Sequence, residues 1–199
     1  MTSITPASRV ELLTRACAST ASVLGEVRPG QLALATPCRD WGVADLIEHI
    51  LRATDFFGDL VERGSSPDER EWPKYADGDF VGSFGEQSRR LVAGFSTPDA
   101  MERMMVLPTG PAPGSHCIQV AIGEIFVHGW DLAKATGQPM PADPGLADAV
   151  LSSEWPSMCA EVRREHPSVF AAEIPVARER PAIDRLVGFL GRDPGWSPA

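Results

Sequence analysis

Apolar residues recur at three- and four-residue steps in two long stretches of the first third of the chain. Val10, Leu13, Cys17, Ala21 and Leu24 form the first, opened by Thr5 as N-cap with Pro6 in the first turn, and ending near Arg28-Pro29-Gly30. Val43, Leu46, Ile47, Ile50, Ala53, Phe57 and Leu60 form the second, which runs to about Arg63. Gly42 falls at its N-cap with Asp45 three residues on, which is half of a capping box, because glycine brings no side-chain oxygen. Residues 64–82 are a polar, turn-rich connection carrying Trp72, Tyr75 and Phe80, aromatics that either pin the loop to the core or cover a site. The pattern then predicts a helix over 84–95, a strand over 101–107 and a hard break over 108–114. A helix over 115–135 follows, closed by Gly137 and Pro139, then one over 145–165 that Pro156 kinks or interrupts, and a short one over 182–190.

Four main helices with at most one short strand predict an all-α fold, an antiparallel four-helix bundle with long connections rather than an α/β sheet. At roughly 150 residues per domain, 199 residues read as a single domain, 1–199, with 166–199 an extension packed on it. Charged residues at 23% and moderate glycine and proline exclude the collagenous and disordered classes. A net charge of −9 leaves no basic face for phosphates, so neither nucleic acid nor an anionic membrane is an expected partner. The N-terminus has no leader-like basic and apolar regions, and no stretch approaches ~20 apolar residues, so a cytoplasmic location is expected. Cys17, Cys38, Cys117 and Cys159 are scattered with no Cys-x-x-Cys pair, which suits a reducing compartment and excludes a zinc ribbon or a disulfide scaffold.

The 115–135 helix carries the chemistry. At 100° per residue Cys117, Val120, Glu124, His128, Asp131 and Ala135 share one stripe, and Glu124 and His128 lie one turn apart, able to reach one cation. Ile122, Ile125, Phe126, Val127 and Trp130 make the helix apolar nearly all round, so its carboxylate is buried and needs a partner. His49, at the edge of the stripe of Leu46, Ile50 and Ala53, points toward the bundle axis. Two histidines and a glutamate with an open fourth position form a catalytic zinc arrangement, and iron, nickel or manganese accept the same ligands. The competing reading is an intrahelical Glu124–His128 hydrogen bond beside a satisfied core histidine. Cys117, two turns from Glu124, reads as a buried structural thiol, and Asp131 as either an acceptor fixing the His128 tautomer or a solvent-facing helix-end carboxylate. His116 and His166 read as surface residues, and no Gly-x-Ser-x-Gly elbow supports serine hydrolase chemistry.

Four segments together resemble a known family: LATPCRDWGVADLIEHIL (34–51), VLPTGPAPG (106–114), GEIFVHGWDLAKATGQ (123–138) and AIDRLVGFLGRDPGW (182–196). The chain is similar to the DinB-like metal-binding bundles, and within them to the N-terminal domain of mycothiol-dependent maleylpyruvate isomerase. The resemblance implies a divalent metal, zinc first, with nickel, iron or manganese as alternatives, held by His49, Glu124 and His128. It also implies mycothiol as a cosubstrate. Two departures stand out: that isomerase carries a substantial C-terminal domain at its active site where this chain has about 34 residues after Glu165, and Gly42 replaces the usual hydroxyl residue.

The combined expectation is a metal-dependent enzyme of thiol chemistry, a mycothiol-dependent transferase or isomerase whose partners are a small thiol and a small electrophile. The alternatives are a metal-dependent hydrolase using bound hydroxide, or a bundle that binds metal or a small ligand without turnover, as a homodimer through an exposed helix face. No catalytic residue beyond the ligands is identifiable from the sequence.

Overall fold

The computed structural model describes residues 6–66, 71–140, 143–165 and 170–198. Seven α-helices and one two-stranded hairpin make up its regular structure: α1 (Pro6–Gly25), α2 (Val43–Arg63), α3 (Phe80–Phe95), β1 (Met104–Leu107), β2 (Gly110–Pro113), α4 (Gly114–Thr136), α5 (Pro144–Leu151), α6 (Trp155–Glu165) and α7 (Ala182–Phe189). The class is all-α, as the pattern predicts.

Helices α1 and α2 each pack against both α3 and α4, so the four form a ring with α4 wedged between α1 and α2. The core between them takes Leu13 and Leu24 of the predicted α1 stripe with Ala16 beside them, Leu46, Ile47 and Ile50 of the predicted α2 stripe, and Phe84, Leu91 and Phe95 from α3, all essentially without exposed surface. Each of these leucine, isoleucine and phenylalanine side chains contributes about 1.5–3 kcal/mol by leaving water. Helix α4 is buried along almost its whole length, which places its few ionisable groups inside the protein. Thr20 of α1 donates to the Ile125 carbonyl of α4 at 2.9 Å, tying the two helices at mid-length. Between α2 and α3, Arg90 reaches Asp55 at 2.8 Å, Asp59 at 2.5 Å and Glu62 at 2.7 Å.

Several boundaries differ from the pattern. Helix α2 is as expected, with the Asp45 carboxylate accepting from the Gly42 N–H at 2.9 Å. Helix α1 ends at Gly25, a separate 3-10 turn covers Pro29–Gln31, and the expected Thr5 cap lies outside the described residues. Helix α3 begins four residues early, because Asp79 caps it by accepting from the Gly82 N–H at 2.8 Å. The helix expected over 145–165, kinked or interrupted at Pro156, is interrupted: the chain leaves helical geometry after Leu151 and restarts at Trp155, so Pro156 sits in the first turn of α6, where its missing N–H costs nothing.

The hard break over 108–114 is in fact the turn and second strand of a hairpin. Met104 faces Pro113 and Val106 faces Pro111, and the Val106 N–H turns away from β2 to the Gly64 carbonyl at 2.8 Å. The prolines therefore occupy positions where no cross-strand donor is required. Met104 and Val106 are more than half exposed on the outer face.

Residues 71–82 of the 64–82 connection are pinned to the core and do not line the site cavity. Tyr75 is buried and accepts from Gln87 at 3.1 Å, while the Ala76 N–H donates to Glu48 at 3.0 Å.

Candidate metal centre

His49 on α2 and Glu124 and His128 on α4 meet where these two helices pack. Glu124 Oε2 lies 3.4 Å from His49 Nε2 and 3.4 Å from His128 Nε2, and the three prospective ligand atoms are all within 4.8 Å of one another. The two rings stand edge to face with centroids 4.6 Å apart. The Glu124 side chain is a quarter exposed, His49 somewhat more, and all three face a cavity of about 750 Å³.

Burial alone would raise the Glu124 pKa, but hydrogen bonds with His128 and His49 outweigh it and hold the carboxyl well below the usual carboxylate range. Burial likewise works against a charged His128, and its bonds to Asp131, Cys38 and Glu124 win, raising its pKa well above the ordinary imidazole value. A carboxylate within reach of two imidazole nitrogens is a donor set that a divalent cation fits.

His128 has its second nitrogen fixed. Nδ1 donates to Asp131 Oδ2 at 3.0 Å, which leaves Nε2 directed at Glu124. Asp131 has no exposed surface and also accepts from Arg192, Nε at 2.9 Å to Oδ1 and Nη2 at 2.9 Å to Oδ2. Against the pull of burial, the Arg192 charge and the His128 bond bring its carboxyl down to about 2. Cys38 Sγ sits at the same carboxylate, 3.1 Å from Asp131 Oδ2, with His128 Nδ1 3.7 Å away and Arg192 Nη2 3.6 Å away. Cys38, His128 and Asp131 make a second set of clustered donor atoms, but the Arg192 guanidinium already supplies the positive charge there.

The loop before α2 supplies the cavity's lid. Thr36 Oγ1 accepts from the Cys38 N–H at 3.1 Å and donates to the Trp41 carbonyl at 3.0 Å, and Asp40 takes a left-handed conformation, φ 67°, which this residue type tolerates. The turn lays the Trp41 ring over His49, centroids 4.7 Å apart. The opposite wall comes from the C-terminal extension, through Phe170, Ala171 and the Leu190-Gly191-Arg192 turn. This short extension thus lines part of the pocket.

Of the other sequence candidates, Asp131 is the buried acceptor rather than the solvent-facing one. Cys117 is fully buried, its thiol pushed up by burial to about 11, and lies away from the cavity. His116 is half-buried rather than a surface residue, its pKa lowered by burial, and His166 lies outside the described residues. Cys38 and Arg192 were not reachable by spacing, being 93 and 61 residues from Asp131. The one signal for Arg192 is Asp131 itself: an acid on an apolar stripe demands a buried cation.

The helical bundle is that of the DinB-like proteins. More closely, the chain belongs to the mycothiol maleylpyruvate isomerase N-terminal domain family, whose model matches residues 13–133. That span contains His49, Glu124, His128 and Asp131 and stops short of Arg192. An uncharacterized protein of Mycobacterium tuberculosis, found in two strains, is 36% identical over 174 residues, covering 86% of this chain and 91% of its own length. Crystal structures of mycothiol-dependent maleylpyruvate isomerase and of a mutant of it superpose with a TM-score of 0.62, covering 87% of this chain and 77% of theirs. At 17% identity that likeness concerns the fold. Among the described residues, no helix is long and apolar enough to cross a membrane.

Proposed function

We propose that this chain binds one divalent metal ion, zinc in the first instance, through His49, Glu124 and His128, and serves thiol chemistry of the mycothiol kind, as a transferase or isomerase acting on a small electrophile. The observation that carries the reading is the convergence of three donor atoms within 4.8 Å at a cavity of about 750 Å³, a volume suited to a small cosubstrate. The domain reading is a single unit with its extension packed on it, and the location is the cytoplasm.

A divalent cation held there supplies a Lewis acid that lowers the pKa of a thiol or water reaching its open position. The protein's own contribution is orientation. Asp131 fixes the tautomer of His128, the Trp41 ring packs over His49, and Phe170 and Ala171 line the cavity beside them. Cavity size, family membership and the ligand set all support the thiol reading.

The test is elemental analysis of the chain purified without a metal-affinity tag, beside the triple variant His49→Ala, Glu124→Ala, His128→Ala. About one metal per chain, lost in the variant, is the expected result. Mycothiol should then change the visible spectrum of the cobalt-substituted protein. An unchanged spectrum would remove the thiol reading, and turnover of activated esters without thiol would replace it with hydrolysis.

A further inference from the structure

We infer that the C-terminal segment around α7 and the three-ligand centre form one thermodynamic unit, joined through Arg192, Asp131 and His128, with Arg192 as a positioning residue for the ligand set. The inference rests on the metal reading above and adds what keeps that site in register.

The link begins outside the four-helix ring. Helix α7 ends at Phe189, and Gly191 turns the chain with φ 82°, where an added Cβ would lie 2.7–2.8 Å from atoms of Ala171. Only glycine makes this turn so close to a neighbouring backbone. The turn aims Arg192 inward, and the segment is held in place by the Ile174 N–H donating to the Gly188 carbonyl at 2.9 Å. Arg192 then takes both oxygens of Asp131 in a two-pronged bond, the geometry that guanidinium alone supplies.

Asp131 has no exposed surface, so its charge depends on what touches it. His128 Nδ1 at 3.0 Å and Cys38 Sγ at 3.1 Å complete its shell. Removing Arg192 leaves this carboxylate without its two-pronged anchor in a dry site, free to rotate. His128 then loses the fixed acceptor that directs Nε2 toward Glu124. Arg192 touches none of the three ligands' coordinating atoms in these contacts; its effect passes through Asp131. Coupling of this kind is reciprocal: if a docked α7 segment tightens cation binding by some factor, bound cation tightens docking of α7 by the same factor.

The experiment is hydrogen exchange read by mass spectrometry on the full chain, with and without saturating Zn2+, over peptides spanning 182–196. Zn2+ affinity is measured in parallel by competition with a chromophoric chelator for wild type, Arg192→Ala and Arg192→Lys. Zn2+ is expected to slow exchange in 182–196 about tenfold in the wild type, the order of a lost supporting contact at a metal ligand. Arg192→Ala is expected to weaken Zn2+ about tenfold and to abolish that slowing, and Arg192→Lys, which keeps the charge without the fork, to fall between. Zn2+ bound by wild type with exchange in 182–196 unchanged overturns the coupling and leaves the ligand site standing. Arg192→Ala binding Zn2+ as tightly as wild type does the same. Absence of Zn2+ binding by wild type overturns the site reading and the coupling together. The wild-type comparison needs no variant, so a misfolded Arg192→Ala, detected by circular dichroism, leaves the test in force.

Discussion

Replacing Gly123 by alanine tests the packing immediately behind the candidate site. Gly123 precedes Glu124 on α4 and lies under the indole of Trp155, which is 3% exposed. A methyl carbon there would fall 2.5 Å from Trp155 Cδ2 and nearer still to Cε2 and Cζ2. Carbon atoms need about 3.5 Å, so a rigid bicyclic ring must move by roughly 1–1.4 Å or carry α6 with it. Alanine gains about 1 kcal/mol over glycine in a helix interior, whereas overpacking costs about 1–3 kcal/mol, and the rigid partner puts this site at the upper end. The net expectation is a loss of about 1–2 kcal/mol, or a melting temperature lower by roughly 5 °C in a chain of this size. Gly85 on α3 is the matched control: nothing lies within 4 Å of its added carbon, so Gly85→Ala should raise the melting temperature by roughly 2–4 °C. Thermal melts followed at 222 nm compare the three proteins. Gly123→Ala melting at or above wild type, with Gly85→Ala behaving as expected, would refute the α4–α6 packing described above.

Three further outcomes are expected. Because His128 holds a proton that an incoming cation displaces, Zn2+ affinity should rise about tenfold per pH unit below the raised His128 pKa, and calorimetric enthalpies near pH 7 should depend on the buffer. Asp131 is lowered from 3.8 to about 2, so in metal-free protein it contributes roughly 2 kcal/mol that is fully present above pH 4 and disappears as pH falls through 2. The stability gap between wild type and Asp131→Asn, read from urea melts, should therefore narrow over that window; a constant gap would contradict the ion-paired carboxylate. Burial pushes the thiols of Cys17, Cys117 and Cys159 up to about 11, 11 and 12, whereas Cys38 lines the cavity. Ellman's reagent should label one thiol per native chain and none in Cys38→Ser, and a second rapidly labelled thiol would count against the burial of the other three.

Much of this architecture is legible in the sequence, for reasons that differ between elements. Helix α2 is readable to the residue because its apolar spacing is strict and Gly42, Asp45 and Gly64 punctuate it. The β2 strand was not, because Gly110-Pro111-Ala112-Pro113 carries the composition of a breaker, and only the register against β1 shows that the proline nitrogens face away from the ladder. Pro156 marks the discontinuity near α6 but lies inside its first turn, so a rule that locates a break at proline misplaces the end of α5. At the site, helical spacing aligns Glu124 with His128, and the edge of an apolar stripe aims His49. The partners of Asp131 come from a loop and from the far end of the chain, and local periodicity carries no information about contacts across 61 or 93 residues.

The hairpin has a consequence for solubility. Met104 and Val106 present an apolar strip to water, the kind of surface on which a passing extended chain could settle. A chain adding to β2 would find no N–H groups at positions 111 and 113, so the backbone ladder needed to fasten it cannot form. Proline at those two positions turns an adhesive edge into an inert one, and their replacement by valine would expose a template for intermolecular β pairing without touching the bundle at all.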